Sequence, residues 1–399
     1  MNEALRQRLA ARLDEAREAG TFKTIRPVLG AMGAHVAVPD AGPMLMFASN
    51  DYLGMAAHPS VVAAARQGLD QYGAGTAGAR FICGTTDVHL AFEQDLAAFF
   101  GKEAAVTISS GFAANVALIP VLTRPGDLVA ADELNHASLI DAGRLVPQGV
   151  ERIVYPHADM TALEEALRRH QGNVARFIVT DGVFSMEGDL APLDRIVALA
   201  RQFQATVVVD DAHGIGTVGV TGRGSAEHHG LLPRTDIITG SLGKALAGAA
   251  GGFVAGPREV VDSITQFGRP QLFSTALPVA SVSASQAALR LLEAEPRMVA
   301  ELADKTRWFR ALLVERGLPV QDGRTPIVVL MIGDTARAVG MAKLLMESGV
   351  YVVAFGFPVV PEGAARLRLQ VSRSHTENDL AITAQLIAQA WKRTSNFNG

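Results

Sequence analysis

Cysteine is nearly absent from this 399-residue sequence: Cys83 stands alone. No internal disulfide and no thiolate metal cluster can therefore form, structural zinc is excluded on the same ground, and a reducing, cytoplasmic setting fits best. Long apolar runs are missing too, since none approaches the roughly 20 residues that span a bilayer. The opening stretch MNEALRQRLAARLDEAREAG is charged, reads as an amphipathic helix, and lacks the apolar segment and small-residue cleavage site of a secretory signal. Charge of one sign is not in excess either. With 36 basic against 40 acidic residues the net charge is -4, without a block of like charge, which argues against nucleic acid or a membrane surface as partner. What is plentiful is apolar side chain, 49% of the sequence, enough for a large core shared between two compact domains. Small-molecule chemistry is the expectation that survives.

Short β-branched runs recur from about residue 104 to residue 256: AAVTISS, DLVAAD, RFIVTDGVFS, TVVVDDAH, DIITGSLGK and GGFVAG. Helix-length amphipathic segments separate several of them, among them Met160 to Arg169 and Pro192 to Phe203. This alternation predicts an α/β fold with a mostly parallel sheet covered by helices on both faces. The polar and glycine-rich residues follow the C-terminal ends of the strands, where open α/β sheets place their ligands. After about Val279 the texture becomes a long helical stretch, then PIVVLMIG, a helix near Thr335 to Ser348, VYVVAF and ARLRLQVS, and Thr376 with Asp379 resembles a capping box opening a last helix. The expected division is an N-terminal helix and arm over 1–50, a large α/β domain over 51–285 and a smaller α+β domain over 286–399.

Several motifs compete for the chemistry. Gly214, Gly216 and Gly219 match the dinucleotide fingerprint GxGxxG, with Asp236 at about the right distance. The continuation VTGRGS is poor in helix formers, though, where the fingerprint needs a helix to open. Ser241 and Lys244 form an SxxK without the accompanying KTG, and a phosphate-binding GK[ST] fails because Ala245 stands where Ser or Thr is required. His228 and His229 are adjacent loop histidines, more often solvated than metal-bound, and no metal is expected. A better fit is amine chemistry on an aldehyde coenzyme, which needs a lysine to hold the aldehyde, an acid at a ring nitrogen, a phosphate cradle and a group against the ring. Lys244 follows DIITGSLG amid small residues that leave room for a bulky group. Asp210 ends the run TVVVD, where a carboxylate is costly unless it faces a cation, and His213 lies three residues on. Ser109, Ser110, Gly111 and Phe112 stand between a strand and a helix, where backbone N–H groups can hold phosphate. His136 in ELNHAS is a candidate for stacking on the ring, and Ser185 for assisting His213.

Strings along nearly the whole chain, including SNDYLGMAAHP, ARFICGT, SSGFAAN, LNHASLIDAGR, TDGVFSMEGD, VDDAHGIGTVG, TGSLGKALAGAAGGF, LFSTALP and PVVPEGAARLRLQVSRSHT, resemble the α-oxoamine synthases. These are fold-type I pyridoxal 5'-phosphate enzymes that condense an amino acid with an acyl-CoA. EAGTFK, RFICGT and PVVPEGAARLR look most like the members that acetylate glycine, whereas SSGFAAN looks more like the decarboxylating oxononanoate synthases. The resemblance implies that Lys244 carries the coenzyme, Asp210 pairs with its pyridine nitrogen, His136 stacks on its ring, and His213 with Ser185 addresses its phenolic oxygen. It further implies that Gly111, Phe112 and Ser241 bind phosphate, that Ser274 and Thr275 reach in from the second subunit of a homodimer, and that Asn50 and Arg368 meet the substrate.

Overall fold

The computed structural model describes residues 1–18, 21–39, 41–170, 175–357 and 359–395. Ala19 and Gly20 of EAGTFK and Pro358 of PVVPEG lie outside them. Two compact units divide the chain, one built from residues 50–304 and 324–326, the other from 1–49, 305–323 and 327–399. Residue 285, where the sequence suggested a boundary, falls inside the helix Val279–Ala294, which packs along the helix Pro59–Tyr72 of the same unit.

In the larger unit the apolar runs become a seven-stranded sheet among the described residues. Its strands are β1 (Ala104–Ile108), β2 (Leu128–Asp132), β3 (Glu151–Tyr155), β4 (Arg176–Asp181), β5 (Thr206–Asp210), β6 (Ile237–Ser241) and β7 (Gly252–Gly256). They lie in the order β1-β7-β6-β5-β4-β2-β3, with β7 antiparallel to both neighbours and the other pairs parallel. The strands are apolar without interruption because both faces are covered. Val106, Val129, Val179, Val208 and Val254 pack on one side with α1 (Gly111–Leu122), while Leu128, Ile178, Val207 and Val209 pack on the other with α3 (Met160–Arg169). Between these helices in the chain comes α2 (Ala137–Arg144). Parallel strands share one C-terminal edge, and β7, running the other way, begins at that edge. Residues 109–112, 133–136, 182–185, 211–213, 242–244 and 249–251 therefore gather there by topology alone.

The smaller unit holds two three-stranded sheets among the described residues. The segment VYVVAF, read from sequence as one strand, is split: Val350–Tyr351 pairs with Gly42–Met46, and Val353–Phe355 pairs with Ala365–Gln370. The chain passes from one sheet to the other at the buried Val352. The capping box is present, with Asp379 N donating to Thr376 Oγ1 at 3.1 Å and Thr376 N to Asp379 Oδ2 at 2.8 Å. The N-terminal helix Glu3–Glu18 forms but buries none of its residues within the chain, its apolar stripe being only the thin line Leu5, Leu9 and Leu13. Among the described residues no helix is long and apolar enough to cross a membrane.

His375 stitches this unit together. It is fully buried, its ring stacks on Phe47 at 4.2 Å, its Nδ1 accepts from Ser372 N at 2.9 Å, and its Nε2 donates to Met46 O at 3.1 Å. Only a neutral imidazole satisfies both bonds, because a proton on Nδ1 would face another N–H. Burial accordingly pushes this histidine down to about 4. The unfolded chain, with an ordinary imidazole near 6.5, then binds more protons than the folded one between those values, so stability falls as pH drops through that window. We expect a loss on the order of 3 kcal/mol between about pH 6.5 and pH 4, read as a falling urea midpoint. In His375→Gln, already weaker at pH 7, that slope should be markedly flatter; an equal slope would assign the effect elsewhere.

Candidate active site

At the C-terminal edge of the large sheet lies a cavity of about 320 Å³. Nine of the residues singled out from sequence line it: Ser109, Ser110, Gly111, Phe112, His136, Asp210, His213, Ser241 and Lys244. They arrive on four segments, 109–112, 136, 210–213 and 241–244, for the topological reason just given. Lys244 is half-buried in the turn between β6 and β7, and Asp210 closes β5.

Asp210 is buried, and its two oxygens are occupied by N–H donors: Ala212 N reaches Oδ1 at 3.0 Å and Asn115 Nδ2 reaches Oδ2 at 2.6 Å. Asn115 does more than this. Its Oδ1 accepts from Thr239 Oγ1 at 2.8 Å, and its amide also donates to Ser138 Oγ at 2.9 Å. Ser138 Oγ lies 2.8 Å from His136 Nδ1, which also accepts from Ser138 N at 3.2 Å. Followed donor to acceptor, the chain has one consistent direction, with Asn115 giving to Ser138 and Ser138 to His136. His136 is thereby held as the neutral tautomer with its proton on Nε2. Burial pushes its imidazole below the usual value, Lys244 adds to that and Asp210 opposes it. A flat, uncharged ring thus faces the cavity, edge-on to Phe112 at 6.4 Å.

A second carboxylate, Asp181, ends β4 directly beside Asp210 in register. It is buried and receives His136 N at 3.2 Å. Burial first and the neighbouring Asp210 second drive it well above the ordinary carboxylate range, with Lys244 and the His136 N–H pulling the other way. His213 Nδ1 lies 2.8 Å from the hydroxyl of the fully buried Tyr52, which also reaches Asn50 Oδ1 at 3.4 Å. At the mouth of α1, Ser110 Oγ accepts from Ala113 N at 3.0 Å as the helix cap, and the backbones of Gly111 and Gly252 touch so closely that a Cβ on Gly252 would collide with Gly111 N.

The remaining candidates lie elsewhere. Ser185 sits in the loop after β4 and is not among the lining residues. Ser274 and Thr275 line a separate small cleft with Arg80, His89 and Gln271. Arg368 belongs to the smaller unit, on the strand Ala365–Gln370, with its guanidinium 5.2 Å over the Phe355 ring. His228 and His229 meet edge to face at 5.2 Å. Among the described residues, no three His, Cys, Asp or Glu side chains gather as metal ligands.

The glycines of the false dinucleotide fingerprint have another use. No helix opens at Gly219, the next one beginning at Ser225. A Cβ on Gly214 would strike the carboxylate of the buried Asp211, and one on Gly219, which sits at φ 87°, would strike that of Glu227. Carboxylates occupy the space beside Gly214 and Gly219, and the Ala245 and Leu53 side chains occupy that beside Gly216.

Sequence reasoning missed Asn115, Ser138, Asp181 and Tyr52. Asp181 carried the same signal as Asp210, an acid closing a β-branched run. Asn115 stands four residues after Gly111, one turn into α1 and so on the same face, a spacing that could have marked it.

A family profile described as aminotransferase class I and II matches residues 42–387. This chain belongs to that family, in its α-oxoamine synthase branch. It is 41% identical to the human mitochondrial 2-amino-3-ketobutyrate coenzyme A ligase, over 94% of this chain and 90% of that protein. It is 42% identical to the 8-amino-7-oxononanoate synthase of Geobacter sulfurreducens, over 96% of this chain and 98% of that one. A solved structure of SPT (serine palmitoyltransferase) with its PLP internal aldimine superposes with a TM-score of 0.91 at 28% identity, covering 97% of each chain.

The network makes a stability prediction. Asn115→Leu strips partners from Asp210, Ser138 and Thr239 at once, and a buried polar group left unpaired costs about 1–3 kcal/mol. Urea unfolding should show a loss of about 3 kcal/mol or more, whereas a change below about 1 kcal/mol would mean that the network is dispensable.

Proposed function

We propose that this protein condenses an amino acid, glycine by preference, with an acyl-CoA, acetyl-CoA by preference, giving a 2-amino-3-oxo acid and free CoA, with pyridoxal 5'-phosphate as its coenzyme. The supporting observation is that an amine, a buried carboxylate and a neutral imidazole face, those of Lys244, Asp210 and His136, line one cavity. The donor set fits the coenzyme: an amine for its aldehyde, an acid for its ring nitrogen, and a glycine-lined backbone turn at a helix N-terminus for its phosphate. When bound, the coenzyme supplies an electron-withdrawing pyridinium ring that acidifies the Cα–H bond of the amino acid.

The protein's own residues do the rest. Asp210, held by Asn115 and Ala212 N, keeps a proton on the ring nitrogen. His136 packs its uncharged face on the ring. Gly111, Phe112 and Ser241 hold the phosphate, joined by Ser274 and Thr275 from the second subunit of a homodimer. His213, braced by Tyr52, and Ser185 address the phenolic oxygen. Lys244 anchors the coenzyme and, once its amine is free, takes the Cα proton at Nζ. Arg368 pairs with the substrate carboxylate in bidentate fashion and Asn50 meets the substrate. The new bond joins Cα to the acyl carbon, the C–S bond breaks, and CoA leaves as the thiol. A reducing, cytoplasmic location fits the lone cysteine, Cys83.

The second reading is a decarboxylating condensation, of the oxononanoate or serine palmitoyl kind. It is favoured by the near-equal identity to relatives of both names. The readings differ in the fate of the carboxylate, which stays in one and leaves as carbon dioxide in the other. Glycine, alanine and serine assayed against acetyl-, medium- and long-chain acyl-CoA should show fastest thiol release with glycine and acetyl-CoA, without labelled carbon dioxide. Release of one carbon dioxide per thiol would select the second reading. Borohydride treatment of the coenzyme-loaded protein should tag Lys244, as mapped by mass spectrometry, and Lys244→Ala should take up no tag; a tag on another residue would overturn the assignment. Asp210→Asn should still bind coenzyme but turn over at least about 100-fold more slowly, and near-native turnover would remove Asp210 from its role.

A further inference from the structure

His157 lies outside the cavity, in the turn between β3 and α3, and no step above uses it. Its Nδ1 lies 3.0 Å from Asp132 Oδ1 and its Nε2 lies 2.9 Å from Asp189 Oδ2. A neutral imidazole has one N–H, so two carboxylate partners call for the doubly protonated ring. Burial alone would depress this group, but the hydrogen bonds and charges of Asp132 and Asp189 outweigh it and push it up to about 10.

Asp132 closes one loop through its carboxylate, and Asp189 closes another through its backbone while its carboxylate holds His157. Asp132 ends β2, accepts Leu134 N at 2.9 Å through Oδ1 and Ala158 N at 2.9 Å through Oδ2, and so folds down the start of the segment that ends in His136. The far end of that segment is pinned by Asn135, whose Nδ2 donates to Val179 O at 2.9 Å and whose Oδ1 accepts from Asp181 N at 3.0 Å. Asp189 closes the other loop: its carbonyl accepts Phe184 N at 3.0 Å, and Gly188 N returns to Phe184 O at 2.8 Å, with Ser185 between. The fully buried Phe184 packs edge-on to the His157 ring at 4.4 Å. Glu133 adds a third acid by accepting His157 N at 2.9 Å. Without a cation here, the carboxylates of Asp132 and Asp189 would face one ring position with no positive charge between them.

We propose that His157 is a positioning residue: a cationic clasp between Asp132 and Asp189 that sets the loop carrying His136 and the loop carrying Ser185 at the spacing the coenzyme requires. The mention of the coenzyme rests on the function proposed above; the clasp itself does not.

The test uses the full-length protein without and with pyridoxal 5'-phosphate, and the variants His157→Gln and Asp189→Asn. Hydrogen–deuterium exchange on the coenzyme-free protein should be about tenfold faster or more in His157→Gln at both 133–136 and 184–189. Asp189→Asn should release only 184–189, because Asp132 keeps its partner. In His157→Gln the dissociation constant for pyridoxal 5'-phosphate, measured by equilibrium dialysis, should rise about tenfold. Unchanged exchange in both loops, release of both loops by Asp189→Asn, or loosened loops with unaltered coenzyme affinity would each overturn the proposal. Should His157→Gln not fold, Asp189→Asn decides through the selectivity of its exchange and a weakened coenzyme affinity. If the loops respond as expected but the native protein binds no coenzyme, the clasp stands and the proposed function falls.

Discussion

The burial of the Asp210 carboxylate is the constraint around which the site is arranged. A carboxylate at the end of a buried parallel strand has little water to bond, so most of its lone pairs must be met by protein. Asn115 and Ala212 N meet them, and by serving Thr239 and Ser138 as well Asn115 extends that requirement across three strands' ends to His136. The acid and the flat ring therefore do not vary independently. In a low-dielectric interior such a network is rigid when every member is satisfied, and that rigidity is what a site for a planar coenzyme needs.

Crowding of carboxylates is the second theme of this edge. Asp181, Asp210 and Asp211 are all buried within two adjacent strands' ends. Each is handled differently. Asp210 is bonded by neutral donors, Asp181 is driven toward its neutral acid, and burial pushes Asp211, with Ser225 N donating to it at 2.6 Å, up to about 7. The glycines at 182, 214 and 224 crowd around Asp211 because any side chain would collide with it. Gly214 of the pattern that mimics a phosphate-binding fingerprint thus belongs to the packing shell of an acid.

Much of this was legible before any coordinates. Lys244 amid small residues, Asp210 closing TVVVD and the SSGF turn before a helix each stand out through local chemistry, and all line one cavity. The parallel sheet was legible too, since continuous β-branched runs separated by amphipathic helices have few other ways to bury themselves. Asn115, Ser138 and Tyr52 were not. A neutral polar residue within a helix or a loop has many unremarkable uses, and its importance lies in a partner 95 residues away for Asn115 and 161 residues away for Tyr52. The break in VYVVAF was hidden for a similar reason, because strand propensity does not say which of two sheets a strand joins.

By itself the sequence determined the alternation of strands and helices, and with it the edge at which reactive groups collect, because periodicity and strand direction are local properties of the chain. It also determined which side chains could be amine, acid and ring. Tertiary structure alone decided which of two equivalent acids, Asp181 or Asp210, receives the Asn115 amide, which tautomer His136 holds, and that Asp132 and Asp189 share one imidazole. Those outcomes depend on distances between side chains far apart in sequence, where a shift of an ångström converts a hydrogen bond into an unpaired buried charge.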